Sequence, residues 1–168
     1  MNARLEPRPE PRLRRRAMTH RDVDAVAAVE ALAYGFPWSR GNFVDSLVAG
    51  YHAEVLEGDD GLVGYVVAQA GVDELHLLNI TIAPRWQGQG HGSALLDALQ
   101  DHARRAGFAT LWLEVRASNQ RARRLYARRG FAEVGLRRAY YPAAIGREDA
   151  VLMSLALGNE ERNGDGLV

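Results

Sequence analysis

Two hydrophobic periods alternate along the chain, and the switches between them mark its elements. A first strand is predicted from about Leu13 to Met18. Beyond Thr19, the residues Val23, Val26, Ala27, Val29 and Leu32 recur at helical spacing, with Asp22 in the first turn, where a carboxylate suits the helix dipole. Pro37 stops this helix, and Ser39 is placed to cap a second one ending near Gly50. "YHAEVLE" and "LVGYVVAQA", joined by "GDDG", predict an antiparallel hairpin.

"ELHLLNITIAP" changes phase. Leu75 and Leu77 occupy odd positions, whereas Leu78, Ile80 and Ile82 occupy even ones. A strand changes phase only with an extra residue, so a β-bulge is expected near Leu77–Asn79; a strand covered on both faces gives the same pattern. A helix from Ser93 to Ala106 follows, with Leu95, Leu96 and Leu99 inward and Gly107 as its stop. "LWLEVR" is the next strand and completes one β-α-β crossover. A short helix in "NQRARRLYARRG", a strand around "FAEVGL", a loop "RRAYYPAAIGRED" and a last strand "AVLMSLAL" complete the series.

The 168 residues, 47% hydrophobic, suffice for one domain with a real core, placed at residues 13–157. No apolar run reaches the roughly 18 residues of a membrane span. Residues 1–12 are rich in arginine and proline without the apolar stretch of a secretory signal, and 158–168 are acidic and glycine-rich; both are expected to be disordered. Cysteine is absent, which removes disulfides, thiol nucleophiles and cysteine-ligated zinc, and fits a cytoplasmic location. Twenty-one basic residues, all arginine, balance 21 acidic ones, so bulk charge makes no case for nucleic acid or a membrane as partner.

Two places carry candidate chemistry. In "QGQGHG", Gly88, Gly90 and Gly92 permit a tight turn with outward N–H groups at a helix N-terminus, a cradle for phosphate oxygens; a merely flexible turn fits too. A dinucleotide fingerprint is disfavoured, because antiparallel strands precede the glycines and only one crossover follows. A Walker loop is excluded, since no Gly-Lys-Ser/Thr is present.

The second place is Glu114, a carboxylate in a strand whose two faces both begin apolar, where burial without a purpose is costly. Asn119 and Tyr126 are seven residues apart, two helical turns, and so lie on nearly one helix face. An ion pair of Glu114 with Arg116 or another nearby arginine, and a core role for Tyr126, are the plainer alternatives.

Together these residues resemble a known family. Gln87-x-x-Gly90-x-Gly92 is similar to the acyl-CoA motif of the GCN5-related N-acetyltransferases (GNAT). "FPWS", "LWLEVRASNQ", "RRAYYP" and "GREDAVLM" resemble the ribosomal-protein alanine acetyltransferases within it, across roughly Leu13 to Leu157. The resemblance implies an α/β (α+β) fold: a mixed, mostly antiparallel sheet of six to seven strands, splayed at a bulge and flanked by about four helices. It implies acetyl-CoA as co-substrate and no metal. Ile80, Thr81 and Ile82 would meet the pantetheine, Gln87, Gly88, Gln89, Gly90, His91, Gly92 and Ser93 the pyrophosphate, and Asn119 would add a polar contact. Relatives often carry arginine where Gly88 stands, so one cationic phosphate contact is expected to be missing.

By the same resemblance Glu114 is the base and Tyr126 the acid, with Phe36, Trp38, Tyr140 and Tyr141 walling a peptide groove. The implied substrate is a protein N-terminus, the alanine terminus of the eighteenth small-subunit ribosomal protein, acted on by a monomer. Acetylation of lysine or a small amine, or a non-catalytic ribosome-binding role, remain alternatives.

Overall fold

The computed structural model describes residues 10–158, and the predicted disordered segments lie outside these apart from 10–12 and 158. Strand β1 (Arg14–Ala17) leads through a 3-10 turn into α1 (Val23–Ala33). Ser39 accepts a hydrogen bond from the Asn42 N–H and caps α2 (Arg40–Val48), as the sequence indicates. The hairpin is β2 (His52–Gly58) with β3 (Gly61–Ala70), followed by β4 (Glu74–Ile82). Then come α3 (His91–Arg105), β5 (Thr110–Arg116), α4 (Gln120–Arg128), β6 (Ala132–Pro142) and β7 (Arg147–Ala156). Helix α3 begins two residues earlier than predicted, because Gly90 adopts φ +84° and starts it there.

The seven strands form one sheet in the order β1-β2-β3-β4-β5-β7-β6. Only β4 and β5 are parallel, the geometry a helical crossover imposes. The predicted bulge is present: Val67 pairs with Asn79 and Ala68 with Leu77, which leaves Leu78 out of the ladder. Pairing of β4 with β5 runs from Glu74 opposite Thr110 to Leu77 opposite Leu113, then stops. On its other side β4 stays with β3 as far as Ile82. The two central strands therefore part at the bulge.

Each face of the sheet has its own core. Leu111, Leu113 and Val115 of β5 pack with Leu95, Leu96 and Leu99 of α3 and with Tyr126 of α4. Val55, Tyr65 and Val67 pack with Val23 and Val26 of α1 and Phe43 of α2. One prediction fails. "RRAYYP" is not a loop but the continuation of β6, which reaches Pro142, and β7 starts at Arg147. A register break between Arg137 and Tyr141, with Ala139 at φ +49°, interrupts the strand there and erases its alternation.

Candidate active site

Where β4 and β5 separate, residues 79–82 of β4 have a partner strand on one side only. Backbone groups on the open side need partners, and a ligand with amides of its own supplies them as a missing strand would. Two cavities flank this opening, of about 400 Å³ and about 470 Å³, and they share Tyr34, Ile80, Asn119, Ala122 and Tyr126 as a common wall.

The larger cavity gathers Ile80, Thr81, Ile82, Gln87, Gly88, Gly90, His91, Gly92 and Ser93, together with Asn119. Gly88 (φ +75°) and Gly90 (φ +84°) both require the left-handed region. The first α3 hydrogen bond runs from the Ala94 N–H to the Gly90 carbonyl, so the preceding N–H groups lack helical acceptors. Such an end attracts phosphate oxygens. Gln87 serves the loop differently from expectation: its side-chain amide donates to the Ile82 carbonyl at 3.0 Å and ties the loop to β4. Gln89 does not line the cavity; its amide reaches the Arg85 carbonyl at 3.4 Å. Near Gly88, where a cation was expected to be missing, an Arg121 guanidinium nitrogen from α4 lies 3.9 Å from the point a Cβ on Gly88 would occupy. Arg124 and Arg128 of the same helix also line this cavity.

The smaller cavity holds both candidate proton-transfer groups. Strand alternation puts Glu114 on the opposite sheet face from Leu113 and Val115, and hence from Tyr126, which packs with them. Tyr126 and Glu114 thus reach one cavity from the two faces of the sheet, through the opening between the strands. The Glu114 side chain is 8% exposed, and its Oε2 lies 2.6 Å from His76 Nε2. Its Oε1 is 3.6 Å from Arg137 Nη1. Burial pushes the Tyr126 hydroxyl well above the usual tyrosine range, with Tyr34 and Tyr141 adding to the effect.

Of the plainer alternatives, Glu114 forms no ion pair with Arg116, but another arginine, Arg137, does stand within ion-pair distance of it at 3.6 Å, and Tyr126 is part of the core as well as of the cavity wall. Arg116 instead donates to Glu148 at 2.8 Å and to the Pro142 carbonyl at 2.7 Å. Its guanidinium also sits 4.6 Å from the Tyr141 ring centroid and 5.4 Å from that of Phe36. One arginine therefore holds two walls of the groove. Phe36, Trp38 and Tyr141 line the cavity, but Tyr140 does not; it packs edge-on against Tyr141, with Arg137 above its ring.

Three further residues escape sequence reasoning. Glu30 is 2% exposed in α1. It accepts hydrogen bonds from the Trp38 N–H, from Asn79 Nδ2 and from the Tyr65 hydroxyl, which fastens the "FPWS" segment to the bulged strand. The Tyr34 hydroxyl meets Thr81 Oγ1 at 2.7 Å, and His76 holds Glu114. Apart from Trp38, eight residues from Glu30, each partner lies tens of residues away in the chain, so no local pattern announces it.

A cradle at a helix start, an open strand edge and a facing tyrosine and glutamate define an acyl-CoA-dependent transferase of amines. The chain belongs to the acetyltransferase (GNAT) family, whose model matches residues 23–131. It is an acetyl-CoA-dependent N-acetyltransferase. It is 42% identical over 136 residues to the [ribosomal protein bS18]-alanine N-acetyltransferase of Escherichia coli (strain K12), covering 81% of this chain and 92% of that one. The protein of the same name from Haemophilus influenzae is 39% identical over 137 residues, with 81% and 93% covered. The crystal structure of the ribosomal-protein-S18-alanine N-acetyltransferase from Escherichia coli has a TM-score of 0.83 at 38% identity, covering 94% of this chain and 99% of that one. Ard1 from Thermoplasma volcanium shares the fold, with a TM-score of 0.78 at 22% identity over 87% of this chain and 98% of that one.

Proposed function

We propose that the protein acetylates the N-terminal α-amine of the alanine terminus of ribosomal protein S18, with Glu114 as base and Tyr126 as acid. The observation that carries this is the meeting of Glu114 and Tyr126 in one cavity from opposite faces of the sheet. The relatives named for this reaction add the substrate.

Only a neutral amine attacks the thioester carbonyl, so Glu114 takes a proton from the ammonium form, directly or through water. The nitrogen then bonds to the acetyl carbon, the carbon–sulfur bond breaks, and Tyr126 protonates the departing thiolate. For an α-amine with pKa near 7.7–8.0 the first step is a small demand; for lysine, near 10.4, it costs about 3.5 kcal/mol more. An α-amine thus suits a lone carboxylate base. Ile80–Ile82 hold the pantetheine, the α3 start and Arg121 hold the phosphates, and Phe36, Trp38 and Tyr141 flank the peptide. The enzyme works as a cytoplasmic monomer and contacts its target through protein and not nucleic acid.

The test is acetyl transfer to peptides that differ in their first residues, beside one blocked at its N-terminus with a free lysine. The S18 N-terminal peptide should give the highest kcat/KM, and the blocked peptide almost none. Preference for lysine or a small amine would overturn the reading. The chain has no lysine, so its own side chains contribute no amine to the measurement.

A further inference from the structure

We propose that His76 is a positioning residue for the base: it fixes which Glu114 oxygen meets the amine and keeps that oxygen out of a full ion pair. This rests on the reading of Glu114 as base. His76 on β4 and Trp112 on β5 are register partners in the short parallel ladder just before the strands part. Their rings stack with centroids 3.6 Å apart and planes 8° apart, which holds the imidazole in one orientation. That orientation brings Nε2 to 2.6 Å from Glu114 Oε2, with only 18% and 8% of the two side chains exposed.

A contact this short requires one proton between the two atoms. With the carboxylate ionised the proton sits on nitrogen, so Nε2 donates and Oε2 accepts. The amine is then left Oε1, which faces Arg137 Nη1 at 3.6 Å, beyond hydrogen-bond distance. Without the imidazole, the three side-chain torsions of glutamate are free to turn the carboxylate onto Arg137. A base so captured is both misplaced and less willing to take a proton. The groups facing this pair are Trp112 on β5 and Arg137 and Tyr141 on β6.

Steady-state kinetics of His76→Ala, His76→Gln, Glu114→Gln and the His76→Ala/Glu114→Gln double variant test this across pH. His76→Ala should lose about 10- to 100-fold in kcat, the scale of a slightly misplaced reacting group, with the acetyl-CoA KM unchanged. His76→Gln keeps an N–H donor at this position, and it should recover most of the rate that His76→Ala loses. Because His76 acts through Glu114, the double variant should be no slower than Glu114→Gln alone. An unaltered rate and pH profile in His76→Ala beside a crippled Glu114→Gln overturns the proposal alone. So does a His76→Ala loss that multiplies with that of Glu114→Gln. A fully active Glu114→Gln overturns the base assignment, and the proposal with it. If His76→Ala does not fold, His76→Phe decides, since it can keep the stack on Trp112 but has no N–H to give Glu114: a wild-type kcat there overturns the proposal.

Discussion

Glu114 and Tyr126 are each held by contacts that do not use up their chemistry. Tyr126 is 8% exposed and packed against Phe131, yet it borders the cavity. With its pKa raised by burial, it stays protonated at any working pH, as a proton donor must. An ordinary tyrosine near 10 would protonate a thiolate near 8.5 at a cost of about 2 kcal/mol. Burial increases that cost, but a thiolate formed in the same cavity is desolvated too, so the two groups shift together. The variants separate by pH. Glu114→Gln should lose roughly 10²-fold in kcat at pH 7 and regain much of it toward pH 9, where solvent deprotonates the amine. Tyr126→Phe should lose a similar factor without such recovery, because higher pH makes solvent a poorer donor. Matching pH profiles for the two variants would show that they do not divide the proton transfers this way.

The glycine turn and the central strands show which elements a sequence announces. In Gly90→Val a branched side chain meets a backbone at φ +84°, with open space where the phosphate belongs. Acetyl-CoA at about 100-fold over its Kd stabilises wild type by about 2.7 kcal/mol, or roughly 5–10 °C in Tm for a chain of this size. Gly90→Val should remain folded and show no such rise; an undiminished shift would remove the cradle. That turn was legible because positive φ leaves a mark in residue type, and the bulge at Leu78 because it reverses a burial phase. The start of edge strand β6 was legible, but its continuation to Pro142 was not, since exposure along nearly its whole length gives it no burial period to read. Glu30 and His76 were illegible for another reason. Their roles come from Tyr65 and Glu114, 35 and 38 residues away, and only the register of the sheet brings them together.

At the scale of the molecule, the parted strands govern traffic. The proposed phosphate cradle lies beside α3 and α4, whereas the aromatic groove opens by α1 and the β6–β7 end, and the two regions meet only at a shared wall. Neither substrate has to leave before the other arrives. The chain also has no cysteine on which an acetyl group might be parked between visits. Double-reciprocal plots with both substrates varied should therefore give lines that intersect; parallel lines would mean that the acetyl group rests on the protein. Free CoA and acetylated peptide should each inhibit competitively against the substrate whose entrance it shares. An inhibitor that bridges both entrances, a CoA thioether joined to an N-terminal peptide, would gain from both at once, because the sheet leaves a doorway where other sheets have a wall.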